Sequence, residues 1–191
     1  MPACATIKSC YRFFLLILAF IPCAHAAPFK ITSANVEHIG NGYVFTGTVD
    51  YTLTPRVMEA LENGVPITFF QQFELIRSTP LLGKYWHWNT KLWKTTLRYQ
   101  LRYHALAQQY VLRSLDTHHM RNFPTLAGAL EALGQIEKLS LPPDLTQHTK
   151  HLILRLRSGI DLHALPTPMR PGALLSNKWQ LTSTWVEATW R

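Results

Sequence analysis

Tyr43-Val44-Phe45-Thr46-Gly47-Thr48-Val49-Asp50-Tyr51-Thr52-Leu53 is the stretch that decides the fold. Tyr43, Phe45, Gly47, Val49, Tyr51 and Leu53 fall on one parity and Val44, Thr46, Thr48, Asp50 and Thr52 on the other. Successive side chains of an extended chain point to opposite faces, so a repeat of two places the apolar set on one side: a half-buried strand. Just upstream, Phe29 to His38 reads as another strand. Gly40-Asn41-Gly42 between them has hairpin-turn chemistry, because glycine takes the positive φ that tight hairpins need. The first two strands should pair.

Working downstream, Thr54-Pro55 opens a two-turn helix, with Thr as N-cap, Pro at the first helical position, Val57, Met58 and Leu61 as its apolar stripe, and Asn63-Gly64 as its stop. Val65, Ile67, Phe69, Phe73 and Leu75 alternate with Thr68, Gln72 and Glu74 in a third strand ending near Arg77. From Lys91 to Tyr103, Trp93, Leu97, Tyr99, Leu101 and Tyr103 face one way and Lys94, Thr96, Arg98, Gln100 and Arg102 the other. Tyr110 to Leu115 is its return strand, followed by a turn at Asp116-Thr117. Phe123-Pro124-Thr125 opens a second helix, with Leu126, Leu130, Leu133 and Ile136 as an apolar stripe that should cover the sheet. Leu152, Leu154 and Leu156 mark a strand reaching toward Leu162. A proline-broken loop, Pro166 to Pro171, leads to a last strand through Trp179, Leu181, Ser183 and Trp185. Strands joined by short turns favour antiparallel pairing. The fold expected is mainly β: an antiparallel β-sandwich or curled sheet of about seven strands with two attached helices, in a single β-rich domain spanning residues 27–191.

Ahead of that domain, Lys8 and Arg12 precede the apolar run Phe13 to Ile21, which Pro22 breaks; Ala24-His25-Ala26 then offers small residues at the two positions a signal peptidase accepts. The reading is a secretory signal peptide over residues 1–26, cleaved after Ala26, and hence the periplasm of a Gram-negative bacterium. The apolar run is short of the roughly 20 residues a membrane-spanning helix needs. Lipidation at Cys23 is the alternative, and Pro22, where lipoprotein sites carry a small residue, argues against it. Cys4, Cys10 and Cys23 all lie in the removed segment, so the mature chain is cysteine-free, which excludes disulfides, thiol chemistry and zinc-cysteine sites. The 191-residue chain has 19 Lys plus Arg against 11 Asp plus Glu, a formal net charge of +8. Loss of Lys8 and Arg12 leaves +6. In that compartment a basic surface serves solubility, or meets anionic lipid headgroups, an acidic glycan or an acidic protein surface; nucleic acid is not an expected partner.

Several segments also carry a family resemblance: Leu61-Glu62-Asn63-Gly64-Val65-Pro66-Ile67-Thr68-Phe69, Leu101-Arg102-Tyr103-His104-Ala105-Leu106, Gln109-Tyr110-Val111, Phe123-Pro124-Thr125-Leu126, and Leu175-Ser176 with Trp179. Together they resemble the exported proteobacterial proteins of domain-of-unknown-function family 4390. The resemblance spans nearly the whole mature chain. It implies no catalytic residues, and its one functional hint is that such proteins are often encoded beside a membrane-bound sensor kinase, which points to envelope signalling. The family tends to have acids early in the second helix, where this chain has Ala127-Gly128-Ala129.

Motifs for chemistry are sparse. His118-His119 sits in a turn, where adjacent imidazoles point apart, with no ligand at helical spacing beside it; His38, His104, His148, His151 and His163 are scattered. No Gly-x-Ser-x-Gly pattern occurs, and none of the 11 acids stands in a recognisable motif. No cofactor, metal or catalytic residue is therefore assigned, an enzyme is not expected, and a hydrolase of unknown type ranks third among the readings. Two features remain as binding candidates. Tyr85-Trp86-His87-Trp88 follows Pro80 and Gly83 in an expected loop, and rings so close in sequence cannot all enter one core, so at least one of Tyr85, Trp86 and Trp88 should face outward as a binding surface, the other reading being that Trp86 or Trp88 caps an open end of the sandwich. Lys94, Arg98 and Arg102 on one strand, with Arg155 and Arg157 on another, form a basic ladder that strand pairing would merge into one stripe. The expected role is an exported binding or accessory protein acting on an envelope protein partner; the alternative is an anionic lipid- or glycan-binding module.

Overall fold

In a computed structural model of the chain, the described residues are 29–80, 87–146 and 151–191. Residues 1–26, expected above as a signal peptide, with Cys4, Cys10 and Cys23, and also Tyr85, Trp86 and His148, lie outside them. Ten strands are described: β1 (Phe29–Ile39), β2 (Gly42–Tyr51), β3 (Ile67–Pro80), β4 (His87–His104), β5 (Gln109–Ser114), β6 (Met120–Phe123), β7 (Gln135–Ser140), β8 (Leu152–Ile160), β9 (Val186–Glu187) and β10 (Thr189–Trp190). Four short helices join them: α1 (Pro55–Glu62), α2 (Leu126–Gly134), α3 (Pro143–Thr146) and α4 (Arg170–Leu174). The strands form two open sheets, ordered β10-β1-β2-β7 and β6-β5-β4-β3-β8-β9. Every pairing is antiparallel except the parallel contact of β10 with β1.

The period-two pattern of 43–53 does what it predicts. Phe45, Val49 and Tyr51 are buried against Phe69, Phe73, Leu75, Leu154 and Leu156 of the facing sheet. Phe45 meets Phe73 edge-on at 5.2 Å between centroids, and Tyr51 meets Phe69 edge-on at 5.4 Å. Full burial of such a ring contributes about 1.5–3 kcal/mol, so these contacts across the gap hold the layers together. The core also encloses a polar knot. Tyr51 Oη lies 2.8 Å from Ser158 Oγ; Gln71 Nε2 donates to Tyr51 Oη at 3.0 Å and to the Leu133 carbonyl at 2.9 Å; Ser158 Oγ donates to the Phe70 carbonyl at 2.9 Å. Burial pushes the Tyr51 hydroxyl up to about 12, outweighing its hydrogen bonds to Ser158 and Gln71. Satisfying each group is what makes these polar side chains tolerable in an apolar layer.

Both sequence-read helices are present. Thr54 caps α1, accepting from Val57 N–H, and Gly64 takes the left-handed conformation after it (φ +77°). Thr125 caps α2, accepting from Gly128 N–H at 3.2 Å. The second helix is shorter than its stripe suggested, since Ile136 belongs to β7 and pairs opposite Gly47. Gly134 ends α2 against β2, where a Cβ would run into the Val49 carbonyl oxygen, and hydrogen bonding to β2 then outweighs one more helical turn. Trp88 is likewise in β4 and not in a loop, because β3 and β4 pair as far as Pro80 opposite His87. The segment expected as a proline-broken loop holds a 3-10 turn at Thr167–Met169 and α4, whose Pro171 sits in the first turn, where it needs no N–H partner. The expected last strand is a single bridge, Thr182 opposite Gly159, followed by the two-residue strands β9 and β10.

Candidate functional site

The β3–β4 hairpin outruns its neighbours. β8 pairs with β3 only as far as Leu152 opposite Arg77, and β5 pairs with β4 only between Tyr99 and His104. Beyond those limits the described part of the hairpin is a two-stranded ribbon. Trp88 lies on it opposite Thr79 and is 63% exposed. Arg77 and Lys91, both exposed, stand a few residues away on the same hairpin, where β8 still pairs with β3. An indole held open to solvent on a paired backbone loses little conformational entropy on binding, which suits a contact surface.

The basic ladder has a different fate. β4 and β8 are not adjacent; they flank β3. Register places Lys94, Glu74 and Arg155 in one row, Thr96, Gln72 and Arg157 in the next, and Arg98, Phe70 and Gly159 in a third, all on the face turned away from the core. The stripe therefore forms with an acid in its middle. Arg155 donates to Glu74 Oε2 from Nη2 at 2.6 Å and from Nε at 3.1 Å, and Lys91 Nζ reaches Glu74 Oε1 at 3.2 Å. Arg157 Nη2 donates to Gln72 Oε1 at 3.0 Å. Burial alone would raise the Glu74 pKa, but the hydrogen bonds and charges of Arg155 and Lys91 prevail and hold it below the ordinary carboxylate value. Trp185 roofs the cluster, with the Arg155 guanidinium 4.5 Å and the Arg157 guanidinium 4.8 Å from its ring, and the Phe70 ring lies 5.7 Å from the Arg157 guanidinium. Gly159 leaves room for the Phe70 ring, which a Cβ there would meet at 2.8 Å.

Of the sequence-read cations, then, Arg155 and Arg157 are committed to partners within the fold. Arg98 is drawn 3.7 Å from Asp161 and is half exposed. Lys94 is exposed. Arg102 stands apart, past the start of β3 and beside Glu62, Asn63 and Gly64 at the end of α1. Glu74, Gln72, Phe70 and Trp185 are cluster members that the ladder pattern does not reveal. The signal for Glu74 is present nonetheless: it is the single charged residue in the stretch from Ile67 to Ile76, and in a strand with neighbours on both sides such an acid requires a cation beside it.

Elsewhere, a groove of about 770 Å³ runs between α1 and the 168–179 segment over Pro55, Met169, Ala173 and Trp179. The exposed Arg56–Glu59 pair lines one wall, at 2.8 Å. His118 takes positive φ (57°) in its turn, with Nδ1 3.3 Å from Arg113 Nη2. Among the described residues no three His, Cys, Asp or Glu side chains converge as a metal site, and no helix is long and apolar enough to cross a membrane.

Comparison with known proteins adds one match. No curated protein and no solved structure is similar to the chain at a significant level. A family model described as a domain of unknown function, DUF4390, matches residues 26–189. That span takes in the hairpin, the roofed cation cluster and both sheets, and the chain belongs to this family.

Proposed function

We propose that the protein is an exported, periplasmic docking protein, without a reaction of its own, that engages an envelope protein through the β3–β4 hairpin. The observation that carries this reading is Trp88, exposed on a ribbon that extends past both neighbouring strands. Exposed tryptophan is rare on a surface that meets only water and frequent at the energetic centre of interfaces. The roofed cluster supports a protein partner over a lipid surface, because Arg155 and Arg157 already hold Glu74 and Gln72 and lie against Trp185, which leaves fewer cations free for phosphate headgroups. The family resemblance suggests a membrane-bound sensor kinase as the class of partner.

The test is a photoreactive residue at position 88 in intact cells. A single recurrent protein adduct is expected, absent when the same group is placed at Lys138 on β7. Trp88→Ala should weaken that complex at least tenfold while leaving unfolding free energy within about 0.5 kcal/mol, as for surface changes generally. Adducts with lipid or glycan alone would overturn the reading in favour of a lipid- or glycan-binding module.

A further inference from the structure

The same hairpin carries a strand edge that no described strand pairs with. Arg98 marks where β5 leaves β4: its carbonyl accepts from Leu115 N–H at 2.8 Å, and its own N–H donates to Asp116 Oδ2 at 2.8 Å. In an antiparallel ladder, a residue that turns both N–H and C=O to one neighbour alternates with residues that turn both to the other. Thr96 and Lys94 therefore face the same side as Arg98. There, among the described residues, no strand pairs with them. Their side chains sort by the pleat. Trp93, Thr95 and Leu97 fall on the core side, Trp93 and Leu97 only partly covered at the border of the core, while Lys94 is exposed on the outer side.

We infer that β4 from Trp93 to Leu97 is a docking edge for an extended segment of another protein, added as an antiparallel strand in which acidic and aliphatic side chains alternate. Unpaired main-chain groups supply the attachment, as in other strand additions. Acids opposite Lys94, with Lys91 nearby, meet positive charge, and aliphatic side chains on the alternate positions cover Trp93 and Leu97. Five residues is an ordinary strand length. A second copy of this chain fits poorly, since antiparallel self-pairing sets Lys94 near its own counterpart in a chain whose Lys and Arg outnumber its Asp and Glu. The inference rests on the reading of the hairpin as a protein-docking element and specifies what that element binds.

The probes are three capped nonapeptides: one alternating Glu and Val, one alternating Lys and Val, and the first peptide N-methylated at its glutamates, which removes the N–H groups that would face Lys94 and Thr96. Amide hydrogen exchange is followed by NMR on the protein. The Glu/Val peptide should slow exchange at Lys94 and Thr96 at least tenfold and bind at least tenfold more tightly than the Lys/Val peptide. The methylated peptide should protect neither amide. Lys94→Glu should reverse the preference between the first two. No protection by the Glu/Val peptide at up to about 1 mM, equal binding of the two charge patterns, or protection that survives methylation would each overturn the inference. A protein adduct at position 88 without edge protection would sink the added strand alone, whereas edge protection with only lipid adducts at 88 would sink the tryptophan contact alone.

Discussion

Glu74 is 2% exposed in the middle of β3, and it stays ionised because the hydrogen bonds and charges of Arg155 and Lys91 outweigh its burial, while Gln72 donates to the same carboxylate. Glu74→Gln keeps the shape and removes the charge, leaving the Arg155 guanidinium under Trp185 without its counterion. Breaking a fully buried pair costs about 3–5 kcal/mol. Arg155 and Lys91 are 30% and 60% exposed, so water takes up part of that loss and about 2 kcal/mol is expected. Acid should reproduce the effect. The folded-state pKa lies below the unfolded value of about 4.3, so the unfolded chain takes up this proton first. The contribution is present above about pH 4.3 and disappears as pH falls through the lower folded-state pKa. Urea unfolding at pH 7 and pH 3 checks both: the wild type should lose more stability between them than Glu74→Gln, and equal losses would show that the pair contributes nothing.

Among the elements, α1 shows how a local signal also fixes long-range structure. Thr54 Oγ1 accepts from Val57 N–H at 3.4 Å and donates to the Lys178 carbonyl at 2.8 Å, tying the helix start to a segment more than a hundred residues away. Thr54→Ala should cost about 1–2 kcal/mol in thermal or urea unfolding, while Thr54→Ser recovers most of it. A cost below about 0.5 kcal/mol would mean that neither bond matters. The cap was legible in Thr54-Pro55, as were β1 to β5 and β8, because caps and period-two alternation are local. Met120–Phe123 carries no such alternation and becomes a strand only by pairing with β5. β9 and β10 are two residues each and exist only because β8 and β1 offer them edges. The candidate site divides the same way. Alternation assigned Lys94, Arg98, Arg155 and Arg157 to faces, but only strand order reveals that β3 lies between them and brings Glu74 into the stripe.

The molecule as a whole is two sheets joined down one side by its C-terminal segment. Thr182 bridges to Gly159, Glu187 and Val186 pair with Arg155 and Leu156, and Thr189 and Trp190 then cross to Asn35 and Val36 of the other sheet. Arg191 N–H donates to the Val36 carbonyl at 2.9 Å, and Trp190 packs edge-on to Tyr43 at 5.4 Å. One short stretch thus covers an edge of each sheet and, through Trp185, roofs the cation cluster. Ending the chain at Ser183 should remove all three functions. Trp185, Val186 and Trp190 are each partly buried, so the loss is on the order of 3 kcal/mol. The uncovered edges of β1 and β8 should also promote self-association, because open strand edges template further pairing. Thermal unfolding and light scattering at matched concentrations check this: a lower midpoint with association that grows with concentration is expected. An unchanged midpoint and a monomeric truncated protein would show that the sheets hold together through their facing rings alone.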